Sequence, residues 1–168
     1  MGIHLHRAHG HRSLHVSILS VSTSRDLASD TSGHWIAKQL RRESHQLATH
    51  MMVTDDIASI RRAVSHIVSE TPSQAIIVTG GTGIAPKDVT IEAIQPLFLK
   101  ELTAFGPVFA QLSFEQIDSA AILSRATAGI VGQCVVYCIP GSLKACKLAC
   151  RELIFPELGH VYKHAVEK

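Results

Sequence analysis

The stretch Thr79-Gly80-Gly81-Thr82-Gly83, with Asp88, Thr90 and Glu92 close behind, carries the residue types needed to bind a phosphate and to hold a metal ion beside it. Three glycines within four residues let the main chain turn tightly and bring its N–H groups against an anion. Asp88 supplies a hard oxygen where a Mg²⁺ shared with phosphate oxygens requires one. The motif is neither G-x-G-x-x-G nor G-x-x-x-x-G-K-[ST], so the dinucleotide and P-loop fingerprints are absent and a plain βα turn is the competing account.

Elements on either side must deliver such residues to one place. Ala75-Ile76-Ile77-Val78 reads as a buried strand that runs straight into the glycines. Upstream, residues 15–21 read as a first strand, broken by Ser22-Thr23-Ser24-Arg25-Asp26, and Asp30-Thr31-Ser32-Gly33 opens a helix to about His45. His50-Met51-Met52-Val53 makes a short strand. Thr54-Asp55-Asp56 then caps a helix with Ile57, Ile60, Ala63, Val64, Ile67 and Val68 on its buried face. Downstream, Val89 to Phe98 reads as a helix that Pro96 ends or kinks. Gly106-Pro107 reads as a break, Val108 to Ile117 as a helix, and Ser119 to Arg125 as a short one. Two strands, 128–132 and 134–139, are joined by a Gly-Gln turn. Pro140-Gly141-Ser142 leads into a helix through Leu153 with Ser142 as its N-cap, and Pro156 to His164 is helical.

This alternation predicts an α/β fold with a mostly parallel central sheet. Ligands in such folds sit at the carboxyl ends of the strands. Those ends are Ser20 to Arg25, Thr54 to Asp56, Thr79 to Asp88 and Ile139 to Ser142, and each carries small polar, glycine or acidic residues.

A length of 168 residues suits one domain, and 46% hydrophobic with 18% charged residues is a globular composition. A formal charge of +2 with no Lys/Arg block beyond a pair argues against nucleic acid as a partner. No apolar run approaches the ~18 residues of a membrane span, and the His- and Arg-dotted start is unlike a signal peptide, so a cytoplasmic protein is expected. Cys134 and Cys138, and Cys146 and Cys150, are paired at a spacing of four, which suits buried free thiols better than zinc. Residues 1–14 are read as a flexible His-rich arm, prone to adventitious metal binding, ahead of a single domain over 15–168.

Taken together, Asp30-Thr31-Ser32-Gly33, the glycine block with Asp88-Val89-Thr90-Ile91-Glu92-Ala93, Leu123-Ser124-Arg125 and Pro140-Gly141-Ser142 closely resemble the MoaB/MogA family of molybdenum cofactor biosynthesis proteins, which are related to the G domain of gephyrin. The resemblance runs from about Val16 to the C-terminus. Residues 105–109 and 112–115 look more like the MoaB branch.

The resemblance implies a three-layer α/β/α sandwich, a homo-trimer or hexamer, and a reaction. Active members bind Mg-ATP and molybdopterin, transfer AMP to the terminal phosphate of the pterin and release pyrophosphate. On this reading Thr79, Gly80, Gly81, Thr82 and Gly83 present N–H groups to phosphates, and Asp88 and Asp55 hold Mg²⁺ and serve catalysis. Asp56 competes with Asp55 for that role, because either can be the helix N-cap. Glu92 is either a supporting ligand or a first-turn charge favoured by the helix dipole. Asp30, Ser32 and Gly33 bind a phosphate or pterin, or simply cap a helix. Ser124 and Arg125 offer a hydroxyl and a guanidinium fork, and Pro140, Gly141 and Ser142 meet the pterin or the ribose. A molybdopterin carrier without transfer activity is the main alternative. An oligomeric scaffold and a nicotinamide-dependent redox enzyme are weaker ones.

Overall fold

A computed structural model describes residues 13–167. Six strands form one sheet: β1 (His15–Val21), β2 (Gln46–Val53), β3 (Ala75–Thr79), β4 (Lys100–Glu101), β5 (Thr127–Val131) and β6 (Cys134–Ile139). Their order across the sheet is β2-β1-β3-β6-β5-β4. The four strands β2, β1, β3 and β6 run parallel, whereas β5 is antiparallel to β6 and β4 to β5. Helices cover both faces, which gives the expected three layers and the expected mostly parallel sheet.

Successive strand residues point to opposite faces of the sheet, and both faces are buried, so β3 and β6 are buried along their whole length. Val16, Ile18, Ile77 and Tyr137 join one core with Ile36 and Leu40 of α1 (Thr31–Arg42), Phe109 of α4 (Phe105–Ile117), Cys146 of α5 (Leu143–Ala149) and Leu158 of α6 (Phe155–Val166). Their neighbours Leu19, Ile76, Val78, Val136 and Cys138 join the other, under α2 (Ile57–Glu70) and the single turn α3 (Thr90–Ile94). Ile60, Ala63, Val64 and Ile67 of α2 are all buried, the i, i+3, i+4, i+7 stripe of an amphipathic helix. Each fully buried Ile or Leu side chain in these layers contributes roughly 1.5–3 kcal/mol.

The chain leaves β1 outward to β2, then returns through α2 to β3 on the other side of β1. That reversal opens a crevice above the carboxyl ends of β1 and β3, the switch point at which open α/β sheets take ligands.

Several boundaries differ from the sequence reading, among them the end of α1, at Arg42 rather than about His45. Gly106 and Pro107 do not break the chain but lie in the first turn of α4, where a proline forfeits no hydrogen bond because the opening N–H groups have no partner in the helix. Nothing in the composition of Lys100-Glu101 announced β4, two exposed residues held by pairing with Gly129 and Ile130. The strand β2 begins at Gln46, earlier than His50, because its first residues pair with His15 and Val16. The two C-terminal helices are joined through a π-helical stretch, Cys150–Ile154, whose wider turn brings the chain to Pro156 without a break. Of the expected N-terminal arm, residues 1–12 lie outside the described residues, and Leu14 already belongs to the core, fully buried with its carbonyl accepting from Gln46.

Candidate functional site

Above the switch point lies a cleft of about 420 Å³ whose lining includes Ser22, Arg25, Thr31, Asp55, Gly80, Gly81, Lys87, Gly141 and Ser142. Four chain segments meet there, and each ends or begins a sheet or helix element. The arrangement is fixed by main-chain packing at the glycines. Gly80 has φ +102° and Gly81 +63°, and a Cβ on Gly80 would overlap the Val21 carbonyl. A Cβ on Gly141 would come within 3.0 Å of the Gly80 Cα, so the loops after β3 and β6 touch backbone to backbone.

Thr90 holds the glycine loop in place. Its buried hydroxyl donates to the Gly80 carbonyl (2.8 Å) and its N–H to the Gly81 carbonyl (2.9 Å). Across the cleft the Ser32 hydroxyl donates to the Gly141 carbonyl (2.9 Å), tying the start of α1 to the loop after β6. Thr79 is buried and donates to the Pro140 carbonyl (3.2 Å). Thr82 is buried as well. Thr79, Thr90 and Ser32 thus shape the cleft from behind.

The two adjacent aspartates divide the roles that sequence left open between them. Asp56 is the N-cap of α2: its carboxylate accepts from the Thr54 hydroxyl (2.6 Å) and from the Ser59 N–H (2.8 Å), bonds that hold its pKa at about 2. Asp55 is thereby free of the cap and turns into the cleft. Its Oδ2 accepts from the Thr23 N–H (2.7 Å), and its Oδ1 lies 3.3 Å from where a Cβ on Gly81 would stand. Asp88 closes the turn that follows the glycines, with Oδ2 accepting from the Ala85 N–H (2.9 Å) and packed against Gly83. It borders the glycine loop without lining the cleft.

Asp30 serves as the N-cap of α1, donor-bound by the Gly33 N–H (2.9 Å), and is 2% exposed. Its other oxygen accepts from Ser20 and from His50 Nε2 (2.8 Å). Burial alone would raise this carboxyl, but the bonds from His50, Ser20 and Gly33 outweigh it and hold the pKa at about 2. A Cβ on Gly33 would overlap both Asp30 and His50. Asp30 and Gly33 therefore sit behind the cleft, and it is Thr31 that reaches its wall.

Glu92, Ser124 and Arg125 are not brought to this cleft. Arg125 pairs with Glu92 and, with Ser124, lines a separate concavity of about 350 Å³ beside α3 and α4. Burial would raise the Glu92 carboxyl, and the bond and charge of Arg125 more than reverse that. The cations at the glycine loop are instead Arg25 and Lys87, whose roles sequence reasoning missed. Arg25 had a signal, because it stands where β1 ends; Lys87 had none beyond its place between the glycines and Asp88. The Arg25 guanidinium lies 3.6 Å from where a Cβ on Gly141 would stand, so it sits directly over that loop. The Gly80 N–H is taken by the Ile139 carbonyl (3.1 Å), so of the expected anion-binding N–H groups that one is not offered to a ligand. With Asp55 as the one carboxylate of the lining, against Arg25 and Lys87, the cleft suits an anion.

Comparison with known proteins follows the same lines. A family model described as a probable molybdopterin binding domain matches residues 17–160. The chain belongs to the MoaB/MogA family. Among similar MoaB/MogA relatives, molybdenum cofactor biosynthesis protein B of Bacillus subtilis is 41% identical over 164 residues, covering 97% of this chain and 96% of that protein. A crystal structure of molybdenum cofactor biosynthesis protein B superposes with a TM-score of 0.89 at 37% identity, over 92% of this chain and 96% of that one. The tungsten cofactor synthesizing protein MoaB of Pyrococcus furiosus gives a TM-score of 0.84 at 36% identity, over 93% and 99%. The MoaB/MogA match thus spans every segment that builds the cleft.

Proposed function

We propose that this chain works in molybdenum cofactor biosynthesis by adenylylating molybdopterin with Mg-ATP. A terminal phosphate oxygen of the pterin attacks the α-phosphorus of ATP. The new P–O bond forms as the bond to the pyrophosphate oxygen breaks, and pyrophosphate leaves. The observation that carries this reading is the cleft, where a positive-φ glycine turn, Arg25, Lys87 and Asp55 converge. The similarity to proteins named for molybdenum cofactor biosynthesis, and to a molybdopterin binding domain, supports the pterin as ligand.

Nucleotidyl transfer asks a protein for positioning and charge neutralisation more than for covalent help. The main-chain N–H of Gly81 orients a phosphate oxygen, Arg25 offers a planar fork, and Lys87 offers a point charge. Among the described residues no group of three or more His, Cys, Asp or Glu forms a metal cage. Mg²⁺ suits that arrangement, since it is commonly held by one or two carboxylates with phosphate and water for the rest. Asp55 and Asp88 each keep one oxygen outside the hydrogen bonds to Thr23 and Ala85, so they are the residues that would hold it. When bound, Mg²⁺ neutralises charge on the phosphates.

One observation favours a second reading. Asp88 lies outside the lining, and a carrier that holds molybdopterin without transferring AMP needs the glycines and cations but not the carboxylates. The two readings separate in one assay: purified protein, Mg-ATP and molybdopterin, with adenylylated pterin followed by chromatography. Transfer by the parent, falling at least about a hundredfold in Asp55→Ala and in Asp88→Ala, is the expected result. Pterin binding without product in the parent would make the chain a carrier.

A further inference from the structure

His160 and His164 stand one turn apart on α6, the spacing that places two side chains on one helical face. Their Nε2 atoms face each other at 2.9 Å. Behind them, Nδ1 of His160 lies 3.2 Å from Glu157 Oε2, and Nδ1 of His164 lies 3.7 Å from Glu167 Oε2. A carboxylate beside Nδ1 favours the tautomer that carries its proton there. Both rings then direct an Nε2 lone pair into the same gap. Two lone pairs at that separation repel unless a cation lies between them, and that cation is either a shared proton or a metal ion.

We propose that His160 and His164 form a binding site for a late first-row divalent cation, Ni²⁺ or Cu²⁺, on the solvent-facing side of α6. Imidazole bonds of about 2.0 Å that span the 2.9 Å gap subtend about 90° at the ion. That is the cis angle of tetragonal and octahedral coordination, and it is narrower than a tetrahedral zinc site provides. Glu157 and Glu167 act as the outer carboxylates that orient a ligating imidazole and raise its basicity. Lys163 also approaches Glu167 (3.4 Å), which leaves Glu157 as the stronger of the two. Among the described residues no third His, Cys, Asp or Glu joins the pair in a metal-holding group. Metal and proton compete for the same lone pairs, and binding weakens as the pH falls.

The N-terminal histidines must be kept out of the measurement. Ni²⁺ and Cu²⁺ are titrated calorimetrically into the full chain and into a full-length variant with His4, His6, His9 and His11 replaced by Ala. The variant is expected to retain one site per chain, with Cu²⁺ resonance spectra showing coupling to two imidazole nitrogens. Adding His164→Ala abolishes that site, and adding Glu157→Gln weakens it about tenfold. The His164 side chain is 64% exposed, so its loss leaves the fold intact, as circular dichroism will register. Absence of binding in the His-depleted variant, or binding that His164→Ala leaves unchanged, overturns the proposal.

Discussion

Asp30 shows how one carboxylate can look like a ligand and act as a fastener. Its three donors, from Ser20, Gly33 and His50, hold its pKa at about 2, below the ordinary value. A carboxyl depressed in the folded state contributes stability that is present above the unfolded pKa of about 3.9 and is lost as pH falls through the folded value. Asp30→Asn is therefore expected to lower stability at neutral pH and to remove part of the loss between about pH 4 and pH 2. Urea midpoints measured across that range check it; parallel pH profiles for parent and variant would count against the role. The same residue marks where sequence was legible. An Asp ahead of Thr-Ser-Gly declares a helix start, whereas burial and the approach of His50 depend on how β2 lies against β1. Asp55 and Asp56 make the complementary point. Their types named both a cap and a ligand, and only the start of α2 at Ile57 decides that Asp56 caps.

At the scale of elements, the glycine loop owes its shape to Thr90 at the start of α3. The Thr90 side chain is fully buried and donates to the Gly80 carbonyl (2.8 Å). Thr90→Val keeps the volume but leaves that carbonyl without its donor, at an expected cost of about 1–3 kcal/mol. Thr90→Ser keeps the bond and should fold close to the parent. Thermal melts of both, together with transfer assays, test whether the loop and the reaction depend on the same bond. The glycine cluster, the strand before it and the cap of α5 at Ser142 were all readable, because local backbone demands select those residues. Arg125 was read as a phosphate fork because residue type says nothing of a partner 33 positions away, and Glu92 is that partner. The two-residue β4 and the first turn of α4 were hidden for a related reason: pairing and packing override local preference there.

For the molecule as a whole, sequence gave α/β alternation but not the strand order, which depends on contacts between distant segments. Nor did it reveal how apolar the surface of α4 and the following turn is. Val108, Phe114, Ile117, Ile122 and Leu123 are all more than 40% exposed. Clustered in one stretch of chain, they suit self-association, in keeping with the trimer or hexamer that the family resemblance implies. Sedimentation equilibrium is expected to find such an assembly in the parent, and Phe114→Glu with Ile122→Glu is expected to dissociate it. A monomeric parent would remove the expectation. Among the described residues no helix is long and apolar enough to cross a membrane, so that surface is not part of a helical span.

The four cysteines carry a consequence for how the molecule opens. Cys134 and Cys138 lie in the core beneath α2, and Cys146 and Cys150 in the core on the opposite face of the sheet. All are buried free thiols, and burial raises their pKa, that of Cys134 to about 11. A thiol reagent reaches them only when their own layer comes apart. The two pairs thus behave as two clocks set on opposite sides of one wall. Mass spectrometry of timed labelling should find all four ticking together if the layers separate from the sheet in a single event. Two fast and two slow would show that one side of the protein breathes while the other stays shut.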